Sequence, residues 1–205
     1  MKHVAILAAL LLPPTALAAD LDTLVSKVVD AYGGSAAWAK VKRIEARGRV
    51  VPAMRKGDGA MTRTWSSNGN LRVEIVYPDK TEVRALEDGK GTNNGRPSNP
   101  MELDGMRLQA ARLALPRLLA DKKTSLRLTA PNTIEASFEG LTITAEVDPA
   151  TGHIVRSTGR SGEMAFVTAY SDFRTVNGLL IPFHEENSAM GMKTADIFLE
   201  SVEIK

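Results

Sequence analysis

Residues 71–77 read Leu71-Arg72-Val73-Glu74-Ile75-Val76-Tyr77. Leu71, Val73, Ile75 and Tyr77 alternate with Arg72, Glu74 and Val76. A period of two sends the first set to one face of a strand and the second set to the other. The stretch is a half-buried β-strand, with one face on a core and the other toward water. Turn residues bound it, Asn68-Gly69-Asn70 before and Pro78-Asp79 after. Residues 60–66 and 80–86 then pair on either side through short links. The strand over 41–51, where Ile44, Ala46 and Val50 alternate with Arg43, Arg47 and Arg49, extends the run to four. Short connections of this kind build an antiparallel meander.

The same pattern returns downstream. Strands are expected from Ser125, over 133–138 and over 141–147, with Glu139-Gly140 as a tight hairpin between the last two. Asp148-Pro149-Ala150-Thr151-Gly152 is a second turn, and residues 153–160 pair back from it. Ser161-Gly162 turns the chain again. Residues 163–173, 179–187 and 194–204 complete it, with the hairpin signal Val176-Asn177-Gly178 between the first two of these. The count is ten or eleven strands with no alternation of helix and strand, which excludes a parallel α/β sheet.

Two segments carry helical spacing instead. Leu21, Leu24, Val25, Val28, Val29 and Tyr32 recur at three and four residues. Asp20 and Asp22 favour the N-terminus of that helix and Gly33-Gly34 stops it. Ser35 is expected to cap a short second turn through Trp38. After a Gly/Asn/Pro-rich loop at 88–100, residues 101–121 form another helical stretch. Leu103, Met106, Ala110, Leu113 and Arg117 mark one face, while Leu108, Ala111, Leu115, Leu118 and Leu119 widen it past half the circumference. Pro116 interrupts it. The fold class is mainly β (α+β): one large, curved antiparallel sheet with helices packed on one side or in its mouth.

Residues 1–19 read as a cleavable secretory signal. Lys2 and His3 form a basic start, residues 4–12 an apolar run, and Ala16-Leu17-Ala18 a cleavage site. The apolar run is far short of the ~20 residues that span a bilayer. Residues 20–205 are then one domain, expected outside the cytoplasm. The chain has no cysteine, which rules out disulfides, thiolate chemistry and a lipid anchor on an N-terminal Cys. With 26 basic and 24 acidic side chains scattered along the strands, it is near neutral, and nucleic acid is not expected as a partner.

Catalytic patterns are missing. His153 and His184 are the histidines beyond residue 19, and no H-E-x-x-H occurs. His184 and Glu186 share a strand face, but two ligands do not make a metal site, and a polar outer face is the simpler reading. Gly159-Arg160-Ser161-Gly162 lacks the nucleophile-elbow spacing. Gly89-Lys90-Gly91-Thr92-Asn93-Asn94-Gly95 fails the dinucleotide spacing at Asn94. No catalytic, metal or cofactor site is expected. The distinctive hardware is apolar: Met54, Met61, Met101, Met106, Met164, Met190 and Met192, with Trp38 and Trp65. Unbranched thioethers adapt to ligands of varied shape, and they also fill ordinary cores.

Several segments in fixed order resemble the LolA/LolB-like periplasmic lipoprotein carriers. The first helix ends in Ala31-Tyr32-Gly33-Gly34 and runs through Trp38 into the strand at 41–51. The turn at 148–152 leads into Ile154 and Val155. Residues 170–182 look like the Y-x-D-[FY]-R-x-V-x-G-x-x-[IL]-P hairpin of the outer-membrane lipoprotein-sorting-like branch. The similarity covers nearly all of 20–205. It implies an open, incomplete antiparallel β-barrel with helices plugging its concave face, a place in the periplasm, and the holding of lipid or lipoprotein acyl chains in the concavity without covalent chemistry. It also implies an inner-membrane exporter and an outer-membrane acceptor as partners, and a monomer that diffuses rather than one anchored in a membrane. For the arginine that gates ligand in such carriers it leaves Arg43, Arg47, Arg49 and Arg63 open. The cavity-lining residues expected are Ile44, Val50, Met61, Trp65, Leu71, Val73, Ile75, Met106, Leu113, Phe138, Ile143 and Phe166, each of which also suits a plain core. A sensor or adaptor that binds a membrane protein is the alternative on the same fold.

Overall fold

The computed structural model describes residues 20–205, so the expected signal at 1–19 lies outside the described residues. Helix α1 (Leu21–Ala31) starts at Asp20, whose carboxylate accepts from the Thr23 N–H at 2.7 Å. Helix α2 (Ser35–Lys40) follows directly. Its N-cap is Gly34, which has no side chain to offer, so Ser35 is its first residue and not its cap.

Six strands then run outward in order: β1 (Arg43–Pro52), β2 (Gly59–Ser66), β3 (Leu71–Val76), β4 (Thr81–Glu87), β5 (Lys90–Asn93) and β6 (Arg96–Pro97). Helices α3 (Pro100–Leu113) and α4 (Leu115–Ala120) come next. Seven strands run back: β7 (Ser125–Ala130), β8 (Thr133–Phe138), β9 (Leu141–Val147), β10 (Ile154–Ser161), β11 (Met164–Val176), β12 (Leu179–Ala189) and β13 (Met192–Ile204). All thirteen form one antiparallel sheet. Its order is β6-β5-β4-β3-β2-β1-β13-β12-β11-β10-β9-β8-β7. The first and last strands meet mid-sheet, with Ile44 opposite Ile204.

Thirteen strands replace the expected ten or eleven because the loop at 88–100 is itself a pair of tight hairpins. Asp88-Gly89 and Asn94-Gly95 both have positive φ at both residues, as a type I′ turn requires. They fold β5 back onto β4 and β6 back onto β5. The longer helical stretch breaks at Ala114, two residues before Pro116, whose ring disfavours helix in the preceding turn.

Topology dictates where α3 and α4 lie. They connect β6 to β7, the two edges of an unclosed sheet, so the chain must cross from one rim to the other. Helix α3 packs on β4 and β5 at one wing and on β9 and β10 at the other, across the hollow of the curved sheet. Asn99 caps it, with its side chain accepting from Glu102 N–H at 2.9 Å and the Glu102 carboxylate accepting from Asn99 N–H at 3.0 Å. The fully buried Leu108 seats against Gly159 of β10, where a Cβ would stand 2.8 Å from the leucine methyl. Bulges at Arg47/Gly48, Ile154/Arg156 and Asn187/Ser188 bend the sheet around this plug.

Two apolar clusters result. One joins β1–β4, β12 and β13 to α2 and α3, and includes Trp38, Trp65, Val73 and Met106. The other joins α1 and α4 to β8, β9 and β10, and includes Val28, Leu119, Ile134 and Ile143. Tyr32 ties the two regions. Its hydroxyl accepts from the Ile154 N–H at 3.1 Å and its carbonyl accepts from the Trp38 indole N–H at 3.0 Å. No helix among the described residues is long and apolar enough to cross a membrane.

Candidate ligand cavity

The space between α3 and the sheet is not filled. A cavity of about 470 Å3 lies on the side of β1–β4, and a smaller one of about 60 Å3 lies toward α4. The larger volume falls in the ~300–1,000 Å3 range of small-molecule pockets. Gln109 and Arg112 of α3 belong to the walls of both, so the two adjoin beneath the C-terminal half of that helix.

Of the residues expected from sequence to line a cavity, Val50, Met61, Val73, Ile75, Met106 and Phe166 lie on the larger one. Ile44, Trp65 and Leu113 lie on the smaller. Leu71 is buried in the first apolar cluster. Ile143 is buried in the second, with the half-buried Phe138 packed against it. These three are core packing on neither wall. Four of the seven methionines after residue 19, Met61, Met101, Met106 and Met164, line the larger cavity. Met54, Met190 and Met192 are exposed.

Glycine 105 explains part of the space. It sits in the interior of α3 at ordinary helical backbone angles, on the larger cavity's wall, and beyond its chain neighbours and the helix's own backbone an added Cβ meets only Phe166 Cζ, at 3.9 Å. A mid-helix glycine costs roughly 0.5–1 kcal/mol relative to alanine. No turn or close approach requires it here, so what it provides is room.

Of the charged groups in the cavity walls, Arg63 is among the four gating candidates, while Glu82, Arg84, Glu102, Arg112 and Glu185 are not expected there from sequence. Arg63 of β2 and Glu185 of β12 form a buried bidentate pair, with guanidinium-to-carboxylate distances of 2.7 and 3.0 Å. Burial by itself would push the Glu185 carboxyl up; the facing Arg63 charge and its hydrogen bonds outweigh that and hold it below the ordinary glutamate value. Strand parity was a usable signal. Arg63 lies between Met61 and Trp65 at a spacing of two, and Glu185 continues Leu179, Ile181 and Phe183. Of the four arginines left open as gating candidates, Arg43, Arg47 and Arg49 are exposed and Arg63 alone faces the cavity. Tyr170 lies on the same wall, its hydroxyl 2.7 Å from Ser157 Oγ, and burial pushes its phenol up.

His184 lies on the face of β12 away from Glu185. Its Nδ1 is 2.8 Å from Ser171 Oγ and its Nε2 is 3.0 Å from Asp196 Oδ1, and the ring stacks on Phe198 at 4.5 Å. Lys193 clamps Asp196 at 2.8 Å and Glu186 at 2.9 Å. The order serine–imidazole–carboxylate invites a hydrolytic reading. None of these groups lines either cavity, and both ring nitrogens are taken up in linking β11, β12 and β13. No group of three metal-ligating side chains occurs among the described residues.

A LolA superfamily protein from Nitrosomonas europaea shares this architecture with a TM-score of 0.59 and 10% identity, over 90% of this chain and 93% of that one. The fold is LolA-like. A DUF1329 family protein from Desulfovibrio piger matches with a TM-score of 0.53 and 8% identity, over the same shares of the two chains. No family model and no curated protein matches the sequence. What relates the chain to these structures is therefore the LolA-like path of one open sheet around a helical plug.

Proposed function

We propose that this chain is a periplasmic carrier that holds the acyl chain of a lipid or lipoprotein in the cavity beneath α3 and moves it through the envelope without covalent chemistry. The observation that carries the reading is that cavity of about 470 Å3, walled by the apolar residues Val50, Met61, Val73, Ile75 and Met106, in a LolA-like fold. Each methylene moved there from water contributes about 0.8 kcal/mol, so a chain of moderate length binds by burial alone. The flexible methionines let the walls accept chains of differing length. An inner-membrane donor and an outer-membrane acceptor are the partners such a role requires.

Native mass spectrometry and lipid extraction of the mature protein, with titration of an acyl fluorophore, test this. Bound lipid and saturable, one-site uptake are expected. A protein that carries no lipid, shows no saturable uptake and instead captures a membrane-protein partner would replace the carrier by a sensor or adaptor.

A further inference from the structure

Every carboxylate on the cavity walls is held in an ion pair or a cap, and two guanidiniums are in no ion pair. Glu185 is held by Arg63. Glu102 closes the capping box of α3. Glu82 is paired with Lys80 and lies 3.6 Å from Arg55. Arg84 of β4 and Arg112 of α3 line the larger cavity, and among the described residues neither makes an ion pair or a side-chain hydrogen bond. Burial pulls the Arg84 guanidinium below its ordinary value; the Glu82 charge opposes this only in part, and the like charge of Arg112 adds to it. Two cations that repel one another in a largely apolar wall are unfavourable unless an anion joins them. Arg112 stands one helical turn from Gln109 and two from Gly105, so the cavity-facing stripe of the plug is polar where an acyl chain alone would call for leucine.

We propose that the ligand is an acyl chain ending in an anion, a carboxylate or a phosphate, with Arg84 and Arg112 gripping the anion while the chain lies along Val50, Met61, Val73 and Ile75. This rests on the carrier reading and narrows its substrate class. A guanidinium binds either anion through paired N–H donors, so both sources share one recognition chemistry. Gln109, between the two cavities, adds a neutral donor beside Arg112.

Competition against the neutral fluorophore N-phenyl-1-naphthylamine, bound to the mature protein in low salt at pH 7, separates the possibilities. The competitors are dodecanoate, dodecyl phosphate, dodecanol and dodecyltrimethylammonium, identical in chain and different in head. At least one anion is expected to displace the fluorophore at a concentration roughly tenfold or more below that of dodecanol, since one charge-assisted contact is worth about that factor. The cation is expected to be the weakest. The anion's advantage should shrink in high salt and vanish in Arg84→Gln/Arg112→Gln, with dodecanol unchanged and the circular dichroism spectrum retained. Which anion gains distinguishes a fatty-acid-like from a phospholipid-like ligand. Equal midpoints for all four, or an anion advantage that survives the double substitution, overturns the anion proposal and leaves the carrier standing. Failure of the fluorophore and every dodecyl compound to bind overturns both.

Discussion

Replacing Glu185 by Gln removes the counter-charge of a buried arginine at almost constant volume. Arg63 and Glu185 are 4% and 6% exposed, and two hydrogen bonds at 2.7 and 3.0 Å join them. Breaking one side of such a pair leaves a desolvated charge and costs about 3–5 kcal/mol, roughly a fifth or more of the ~5–15 kcal/mol that holds a domain together. The effect should be at the upper end because the Arg112 charge, beyond ion-pair distance, also favours the Glu185 carboxylate. Urea unfolding followed by tryptophan fluorescence reads this directly, since Trp65 lines the same cavity as the pair. With an m-value of roughly 2 kcal/mol/M, the midpoint should fall by about 1.5–2.5 M. The double variant Arg63→Met/Glu185→Leu removes both charges, and its midpoint should return to within about 1 kcal/mol of the parent or exceed it. A loss below about 1 kcal/mol for Glu185→Gln, or a double variant as unstable as the single one, refutes the reasoning, because either would mean water reaches the pair.

Other consequences follow from single contacts. Tyr32→Phe deletes the acceptor of the buried Ile154 N–H and should cost about 1–3 kcal/mol in the same urea assay; an unchanged midpoint would mean that N–H has another partner. Gly159→Val drives a side chain into the fully buried Leu108 and should lower stability by about 1–3 kcal/mol while lifting α3, seen as a drop in melting temperature. Acid should destabilise through Glu185: its folded pKa is depressed, so its contribution is fully present above the unfolded value of ~4.3 and is lost as pH falls through the folded one. The stability–pH curve of Arg63→Met/Glu185→Leu should therefore be flatter below that point than the parent's, and parallel curves would contradict the assignment.

The sheet was legible because its signal is local. Leu71 to Tyr77, the hairpin at Asn177-Gly178 and the amphipathic spacing of Leu21 to Tyr32 each carry their structure within a few residues. Strands β5 and β6 were hidden because a four-residue and a two-residue strand have too few positions to show a period, although Asp88-Gly89 and Asn94-Gly95 marked their turns. Apolar parity placed Val73 and Met61 on the concave face, but it could not separate cavity wall from core. Ile143 and Val73 have equivalent patterns, and only the path of α3 decides that one meets the second cluster and the other the cavity. The charged lining was hidden for a different reason. Arg63 and Glu185 lie 122 residues apart in sequence, and their pairing depends on β1 and β13 closing between β2 and β12.

The account stands on the space beneath α3, and filling that space tests it most directly. Gly105→Phe places a ring in the larger cavity from a position where, beyond its chain neighbours and the helix's own backbone, an added Cβ meets only Phe166 Cζ within 4 Å. Gly105→Ala is the control, expected to keep uptake and to gain roughly 0.5–1 kcal/mol in helix stability. With dodecanoate as ligand, excluding as few as two methylenes weakens binding by roughly tenfold. The predicted result is at least that loss in Gly105→Phe, with the melting temperature preserved. Uptake equal to that of Gly105→Ala would contradict the assignment of this cavity as the ligand site.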